Sequence, residues 1–389
     1  MQQPVSGELR DSAANDAVTL VSHGYENIYE RGFCNGLYQA GFAFTLISAD
    51  QTDYAGLCAG TRTLNLRGSQ TNYRSSWRKA ANMLRYHLAL MVHTALQRPA
   101  VLHVIGLIEP PLLCGVVQGL WFRLCAGRYV LTVHDLERHD LATPLSRRLY
   151  SLAFRLASNL VVHTDRVRDE LVAHHGITAS RIVVMQHGLE PLVQPLTLPP
   201  PGRQPVPLRL LVFGKVMRYK GIDLLLQALE GLPFAVHLTI AGRSANDALT
   251  TELQAQVRAH PLAAVIQWDN AYVPESQIQT LFLQADALVL PYRRIDQSGV
   301  LFQALRFGLP VVAARVGSLA DYVDQTIGEC CEPDDVPSLQ AALCRLAARY
   351  ATSINRSEVR AAGQRYEWQR TVGALRAVYR SLPAEAPAP

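Results

Sequence analysis

The residues best placed to do chemistry lie in two short loops, Gly214–Gly221 and Arg293–Gly299. The first reads Gly214-Lys215-Val216-Met217-Arg218-Tyr219-Lys220-Gly221 and sets three cations within six residues, between two glycines. It follows the apolar run LRLLVF and precedes a helical pattern, which is where a parallel α/β unit presents a phosphate loop. It has neither the GxxxxGK[ST] order of a P-loop nor a GxGxxG. The second loop follows the apolar run Ala285–Leu290 and leads into LFQALRF, a helix that Ser298-Gly299 is expected to cap. A helix N-terminus offers unpaired N–H groups and the positive end of the dipole, so this loop is expected to hold an anion. Either loop alone could be a solvated basic turn. Leaving C-terminal strand ends of one domain, the two face one crevice, and a diphosphate is the ligand expected there.

The elements that position these loops follow from hydrophobic period and turn residues. In the first half Val18–Ser22 is a short strand running into His23-Gly24-Tyr25, Gly32–Ala40 a helix and Phe42–Ser48 a strand. Gly24 is either a simple tight turn or a point where substrate approaches the backbone. Trp77–Arg98 is a strong helix pattern with Arg78, Lys79, Arg85 and Tyr86 in its first half and Arg74 just before it. Such a helix either covers the sheet with a solvated basic face or lies against a membrane interface. Further strands are expected at Val101–Ile105, Tyr129–Val133, Asn159–His163 and Arg181–Met185, with helices at Pro111–Leu124, Ser146–Ala157 and Arg166–His174. His134-Asp135 and His187-Gly188 end two of these strands.

Leu189–Pro207 holds seven prolines in nineteen residues and can form neither helix nor interior strand. Beyond it β and α alternate again: strands at Leu208–Phe213, Val236–Ala241, Val265–Trp268 and Ala285–Leu290, helices at Ile222–Leu229, Asp247–Val257, Glu275–Leu283, Leu319–Val323 and Ser338–Arg349. Alternation in both halves predicts two parallel-sheet domains. The boundaries expected are 1–188 for an acceptor-binding domain, 189–207 for a linker and 208–357 for a nucleotide-sugar-binding domain. Residues 358–389 are expected as helices crossing back to the first domain, followed by a loose PAEAPAP tail.

Composition is consistent with this. The chain has 389 residues, 49% hydrophobic and 18% charged, with no apolar run long enough to span a membrane. A net charge of +5 and a pI near 8.8 are mildly basic, which excludes the dense stripe of a nucleic-acid protein and suits polyphosphate or an anionic membrane surface. Cys34, Cys58, Cys114, Cys125, Cys330, Cys331 and Cys344 form no CxxC pair and no zinc-ligand spacing with histidine, so neither a metal site nor a disulfide framework is expected. The N-terminus does not read as a signal peptide, and a reducing cytoplasm is the expected setting.

FGKVMRYKGIDLLLQAL, IAGR, YVPESQIQTLFLQADALVLPY and SGVLFQALRFGLPVVAARVGSLADYV occur in that order. The series resembles the C-terminal domain of glycosyltransferase family 4, retaining enzymes that use nucleotide-sugar donors. The likeness covers about residues 208–335 and reaches Thr132–Asp135 and His187-Gly188 more loosely. It implies an α/β chain of two Rossmann-like doubly wound domains facing a central cleft, the GT-B fold. It also implies that Lys215 and Lys220, with Gly214 and Arg218, neutralise the donor diphosphate without a metal or other cofactor.

The family's two glutamates, with seven residues between them, are missing: Gln303 stands at the second and Ile295 at the first, with Asp296 one step away. Gln303 keeps hydrogen-bonding capacity towards a ribose without the charge, and Asp296 is the candidate to meet the sugar in place of Ile295. The chain is similar to a subgroup with an SGV loop, in which the amides of Ser298, Gly299 and Val300, after Gln297, hold the diphosphate. By the same resemblance His134 contacts the donor sugar and the transferred group, with Asp135 orienting it, and Tyr272-Val273 lie at the nucleobase. Glu137, His139 and Asp140 are candidate acceptor contacts, and His187-Gly188 reads as a hinge and domain-contact element.

The expected function is transfer of a hexosyl group from a nucleotide sugar, UDP- or GDP-linked, to a saccharide or lipid-linked saccharide. The expected setting is cell-surface polysaccharide or glycoconjugate synthesis, in the cytoplasm and at the inner face of the cytoplasmic membrane. A catalytically silent subunit that activates a partner is the rival from the binding class, and Ile295 is the residue in its favour. A sugar-nucleotide epimerase would need converging carboxylates and histidines, which the sequence does not place. A phosphorylase of the glycogen type would need a far longer chain.

Overall fold

The computed structural model describes residues 18–23, 27–69, 76–107, 112–134, 143–189, 192, 196–198, 206–350 and 352–380. Gly24, Arg74, Pro111, Asp135, Glu137, His139, Asp140, most of the proline stretch and the PAEAPAP tail lie outside the described residues.

The chain parts into two units. One is Met1–Val161 with Ser180–Val183 and Leu375–Pro389; the other is Val162–Ala179 with Val184–Ala374. The first sheet is built in the order β1 (Val18–Val21), α1 (Asn27–Gln39), β2 (Phe44–Ser48), β3 (Arg62–Asn65), α2 (Ser76–Gln97) and β4 (Val101–Ile105). There follow a π-helical stretch over Leu112–Val117, α3 (Gln118–Cys125), β5 (Arg128–Thr132), α4 (Pro144–Leu156), β6 (Asn159–Val162), α5 (Asp165–His175) and β7 (Ile182–Val184). Its strand order is β3-β2-β1-β4-β5-β6-β7, and the pairs from β3 through to β6 are parallel. Local sequence sets the helix ends. Thr143 and Ser146 form a capping box around Pro144 at the start of α4, and Gly176 closes α5 in the left-handed conformation.

Three expectations are corrected here. Helix α1 begins at Asn27, not Gly32, and the helix expected over Pro111–Leu124 is π-helical over Leu112–Val117, with α3 starting only at Gln118. Strand β3 was not expected at all, because Arg62–Asn65 is exposed throughout and carries no apolar run.

The second sheet holds β8 (Leu208–Phe213), α6 (Ile222–Leu229), β9 (Val236–Ala241), α7 (Asp247–Ala259), β10 (Ile266–Asp269), α8 (Glu275–Gln284) and β11 (Ala287–Leu290). It continues with α9 (Gly299–Arg306), β12 (Val311–Ala314), α10 (Leu319–Tyr322), β13 (Gly328–Cys331), α11 (Val336–Tyr350) and α12 (Arg356–Gly363). The order is β10-β9-β8-β11-β12-β13, all parallel. Strand β13, GECC, is an unexpected edge strand with no apolar run of its own kind. Past α12 the expected tail helices are broken into short turns through Arg380.

Both faces of this sheet are covered, so alternate residues of a strand feed two cores. Leu208, Leu210 and Val212 of β8 pack into one core with α6 and α11, while Leu211 packs into the other with α8 and α9. Ala287 and Val289 of β11 divide from Leu288 and Leu290 in the same way. Near-continuous apolar strands are what such a sheet requires, which is why LRLLVF and ALVL contain so little that is polar.

Candidate active site

From β8 the second sheet grows one way to β9 and β10, and from β11 the other way to β12 and β13. The gap between β8 and β11 is therefore the topological switch point, at whose C-terminal side open α/β sheets bind ligands. The loops Gly214–Gly221 and Arg293–Gly299 leave these two strands. They meet. A Cβ added at Gly214 would lie 3.6 Å from Val300 Cγ2 in α9 and 3.2 Å from the Lys220 ammonium. Gly221 adopts φ +65°, and a Cβ there would come within 2.0 Å of the Pro291 carbonyl, so only glycine lets the first loop pass this close to the second.

This left-handed turn sends Lys220 inward, where the residue is 5% exposed. Among the described residues its ammonium has one hydrogen-bond partner, donating to the Phe213 carbonyl at 2.9 Å. The Tyr292 ring lies 5.7 Å from Nζ, and no carboxylate among the described residues pairs with it. Burial pulls the lysine pKa down from 10.5 to about 8. A lysine ammonium has three donors. Two have no acceptor among the described residues.

The other cations are placed differently. Lys215 is exposed at the head of the loop. Arg218 is exposed and forks onto Glu252, 3.0 Å through Nη1. Arg293 is held by both Asp223 oxygens at 2.8 Å and by Asp334 at 2.7 Å, and its amide donates to the Tyr219 carbonyl at 2.7 Å. Arg293 thus fastens one loop to the other.

Ser298 stands at the N-cap of α9 but makes no side-chain cap bond, a correction to the expected capping. The buried Ser298 is hydrogen-bonded to the Tyr292 phenol instead, whose own pKa burial pushes up. The first-turn amides of α9 are thereby left without a side-chain cap. Gln297 turns its amide nitrogen into a buried position with no hydrogen-bond partner among the described residues. Asp296 is fixed through its carbonyl, which accepts from the Ser318 hydroxyl at 2.8 Å and amide at 3.1 Å. Ile295 packs against the apolar core beside α9. Gln303 is half-buried, its carbonyl accepting from Arg306 at 3.3 Å. Tyr272 is 79% exposed and Val273 half-buried, on the segment between β10 and α8.

Two residues at this end gave no signal as site residues. Tyr292 lies beneath the Lys220 ammonium and holds Ser298. His187, expected as a hinge and domain contact, stacks on Phe302 of α9 at 4.8 Å, and its Nε2 lies 3.9 Å from where a Cβ on Gly299 would be. Its Nδ1 meets the Gly188 carbonyl at 2.8 Å, which requires the proton on Nδ1. Burial, aided by His163, lowers its pKa to about 3 and keeps the ring neutral.

In the first unit the switch point falls between β1 and β4. Gly106 follows β4, and a Cβ there would lie 3.2 Å from His134, which follows β5 and sets its ring edge-on to Tyr29 at 4.8 Å. His23, after β1, holds an uncommon φ of 60° and pairs with the Tyr86 hydroxyl at 2.7 Å. Burial, with His87 and Arg67 nearby, lowers its pKa to about 3. The Ser22 hydroxyl donates to Glu30, a buried carboxyl whose pKa burial raises. No spacing signals this buried polar group in advance, since Tyr86 is 63 residues from His23. Among the described residues no three His, Cys, Asp or Glu side chains come together as metal ligands.

The family model described as "Glycosyl transferases group 1" matches residues 207–349, and the model described as "Glycosyltransferase Family 4" matches residues 28–191. Glycogen synthase of Mycobacterium tuberculosis is 27% identical over 265 residues, a match covering 64% of this chain and 62% of the relative. The chain thus spans less than two thirds of that protein. Sucrose-phosphate synthase from Thermosynechococcus elongatus superimposes with a TM-score of 0.70 at 16% identity, covering 93% of this chain and 98% of that one. HepE of Anabaena in complex with UDP-glucose gives 0.68 at 15% identity, with 94% and 100% covered. These structural likenesses establish the two-domain Rossmann-like fold. With one glycosyltransferase model on each half of the chain and this fold alongside, the chain is a GT-B glycosyltransferase that resembles family 4.

Proposed function

We propose that this chain moves a hexosyl group from a nucleoside diphosphate sugar to a saccharide or lipid-linked saccharide, with retention of anomeric configuration. The observation that carries the proposal is Lys220: a buried ammonium at a switch point, with one neutral partner and a helix N-terminus alongside. A diphosphate supplies the acceptors this cation lacks, and fixed cations and amides stabilise the charge that grows as the diphosphate leaves.

In this reading Lys220 and Lys215 take the diphosphate with Gly214 and the amides of Ser298, Gly299 and Val300, the SGV arrangement. Gln297 adds its unpartnered amide nitrogen, Arg218 lies outside on Glu252, and Gln303 meets the ribose. Asp296 addresses the sugar and Tyr272-Val273 address the base. The bond from the anomeric carbon to the diphosphate oxygen breaks as the acceptor oxygen bonds to the same face. The acceptor's proton passes to the departing diphosphate. No metal or other cofactor is assigned a role, because lysines and amides do that work.

A UDP-sugar is the first donor to test, since HepE is described in complex with UDP-glucose; a GDP-sugar is the second. The proposed setting is cell-surface polysaccharide or glycoconjugate synthesis, on the cytoplasmic side of the membrane. Thermal shift with UDP, GDP, ADP and their sugars is the test, because a ligand of the native state stabilises by mass action. A shift with one nucleotide, lost in Lys220→Ala, is expected. Equal shifts in wild type and Lys220→Ala would remove the diphosphate assignment.

A further inference from the structure

Helices α2, α3 and α4 of the first unit depart from the usual surface helix, which buries its apolar stripe and shows water a polar one: each also turns apolar side chains outward. In α2 the inward positions are Tyr86, His87, Leu90 and Thr94. The outward row, at four-residue spacing, is Leu84, Leu88, Val92 and Leu96, with Trp77 two turns earlier. Leu96 is 76% exposed and Trp77 69%. On α3 Leu120 and Leu124 are exposed, and on α4 Leu145 and Leu152. The helices adjoin one another. The Trp121 indole donates to the Met91 carbonyl at 2.9 Å, tying α3 to α2, and a Cβ on Gly119 would lie 3.4 Å from Leu156 of α4.

Charge sorts the same way. The chain as a whole has 37 Lys and Arg against 32 Asp and Glu, close to balance. Within Ser76–Gln97, Gln118–Cys125 and Pro144–Leu156 there is no Asp or Glu, while Arg78, Lys79 and Arg85, Arg123, and Arg147, Arg148 and Arg155 supply seven cations. Contiguous exposed apolar side chains mark an interaction surface, and apolar rows flanked by basic residues are what an interfacial helix offers a bilayer.

We infer that this three-helix face seats on an anionic lipid surface, the leucines entering the headgroup–acyl boundary and the arginines meeting lipid phosphates. A second copy of the chain fits less well, because a two-fold contact would set seven cations against seven with no carboxylate between them. Among the described residues no helix is long and apolar enough to cross a membrane; the inferred contact is interfacial. It extends beyond the two stretches the sequence singles out for a membrane, Arg74–Tyr86 and the apolar Pro111–Phe122, to Leu96 and to α4. The inference stands apart from the donor chemistry and agrees with a lipid-linked acceptor.

The test is flotation of the full chain with vesicles of phosphatidylcholine, alone or mixed with phosphatidylglycerol. Binding is expected to the mixed vesicles, weakened by salt but not abolished, since insertion of apolar side chains is not screened. The triple variant Leu88→Gln, Val92→Gln, Leu96→Gln and the double variant Arg147→Gln, Arg148→Gln are each expected to lower partitioning about tenfold or more. All five positions point outward, so unchanged melting temperatures and nucleotide-induced shifts confirm that the variants fold. The nucleotide shift also separates a failure here from a failure of the donor proposal. Absence of binding at low salt, or binding indifferent to both variants, overturns the inference. So does a concentration-dependent dimer that the leucine triple variant dissolves while wild type ignores vesicles.

Discussion

Strands β8 and β11 carry a basic group at each end, and the two ends treat it in opposite ways. At the entry, Arg209 forks onto Asp286, 2.7 Å and 2.9 Å, and its amide donates to the same carboxylate at 2.8 Å. At the exit, Lys220 has one carbonyl and an aromatic face. Burial as such does not explain the difference. Arg356, buried beneath α8 and α9, is given the carbonyls of Phe282, Leu283, Ala285 and Phe307. Where a cation serves the fold, the fold provides most of its acceptors, Arg356 lacking one only at Nε among the described residues. Lys220 has a single acceptor among the described residues, which is the arrangement the proposed diphosphate site requires.

Variants can break this comparison, the largest effect first. Lys220→Ala is expected to lower transfer by about 10²–10³-fold, the scale of losing one preorganised donor to a developing anion, with no loss of melting temperature. Steady-state transfer and a melt on the same sample decide it; a variant that unfolds would make Lys220 structural.

The second test is pH. Burial lowers the Lys220 pKa from 10.5 to about 8, a shift equivalent to about 3 kcal/mol. The unfolded chain holds more protons between these values, so unliganded stability should rise from about pH 8 to about pH 10.5. A diphosphate restores the ammonium, so donor binding at pH 8 and above should take up a proton and weaken as pH rises. Calorimetry in buffers of different ionisation enthalpy measures that uptake, and Lys220→Ala should abolish it.

At the other end, Asp286→Ala should cost about 2 kcal/mol of stability, as a carboxylate hydrogen-bonded to backbone and guanidinium is lost. Transfer per folded molecule should be unchanged, and a melt with an activity assay at low temperature separates the two. Arg218→Ala should have the smallest effect, less than about tenfold in transfer, because an exposed pair contributes little. A loss as large as that of Lys220→Ala would show that Arg218 leaves Glu252 when donor binds.

These contrasts show what the sequence could and could not convey. Leu208–Phe213, Ile222–Leu229 and Val236–Ala241 begin and end where their patterns place them, because buried parallel strands must be apolar throughout. Strands β3 and β13 have no such run and stayed hidden. Lys215, Arg218 and Lys220 were visible as cations, yet their separate fates were not. These depend on the left-handed turn at Gly221 and on Glu252, 34 residues beyond Arg218. The stacking of His187 on Phe302 is an approach between distant residues that no spacing encodes. The pairing of His23 with Tyr86 was hidden for the same reason.

The division of the chain into units bears on the order in which they are made. His103 sits in the middle of β4, fully buried, with Nε2 on the Thr132 hydroxyl at 2.7 Å and Nδ1 on the Tyr379 hydroxyl at 2.6 Å. Tyr379 is 276 residues later, and Val378 next to it accepts from Arg128 at 2.7 Å. The first unit to leave the ribosome is therefore the last to be finished. It waits with a buried histidine half-satisfied while the whole of the second unit is translated. A chain halted after Ala374 should show this as faster amide exchange in β4 and β5 than the full chain, while β8 and β11 keep their protection.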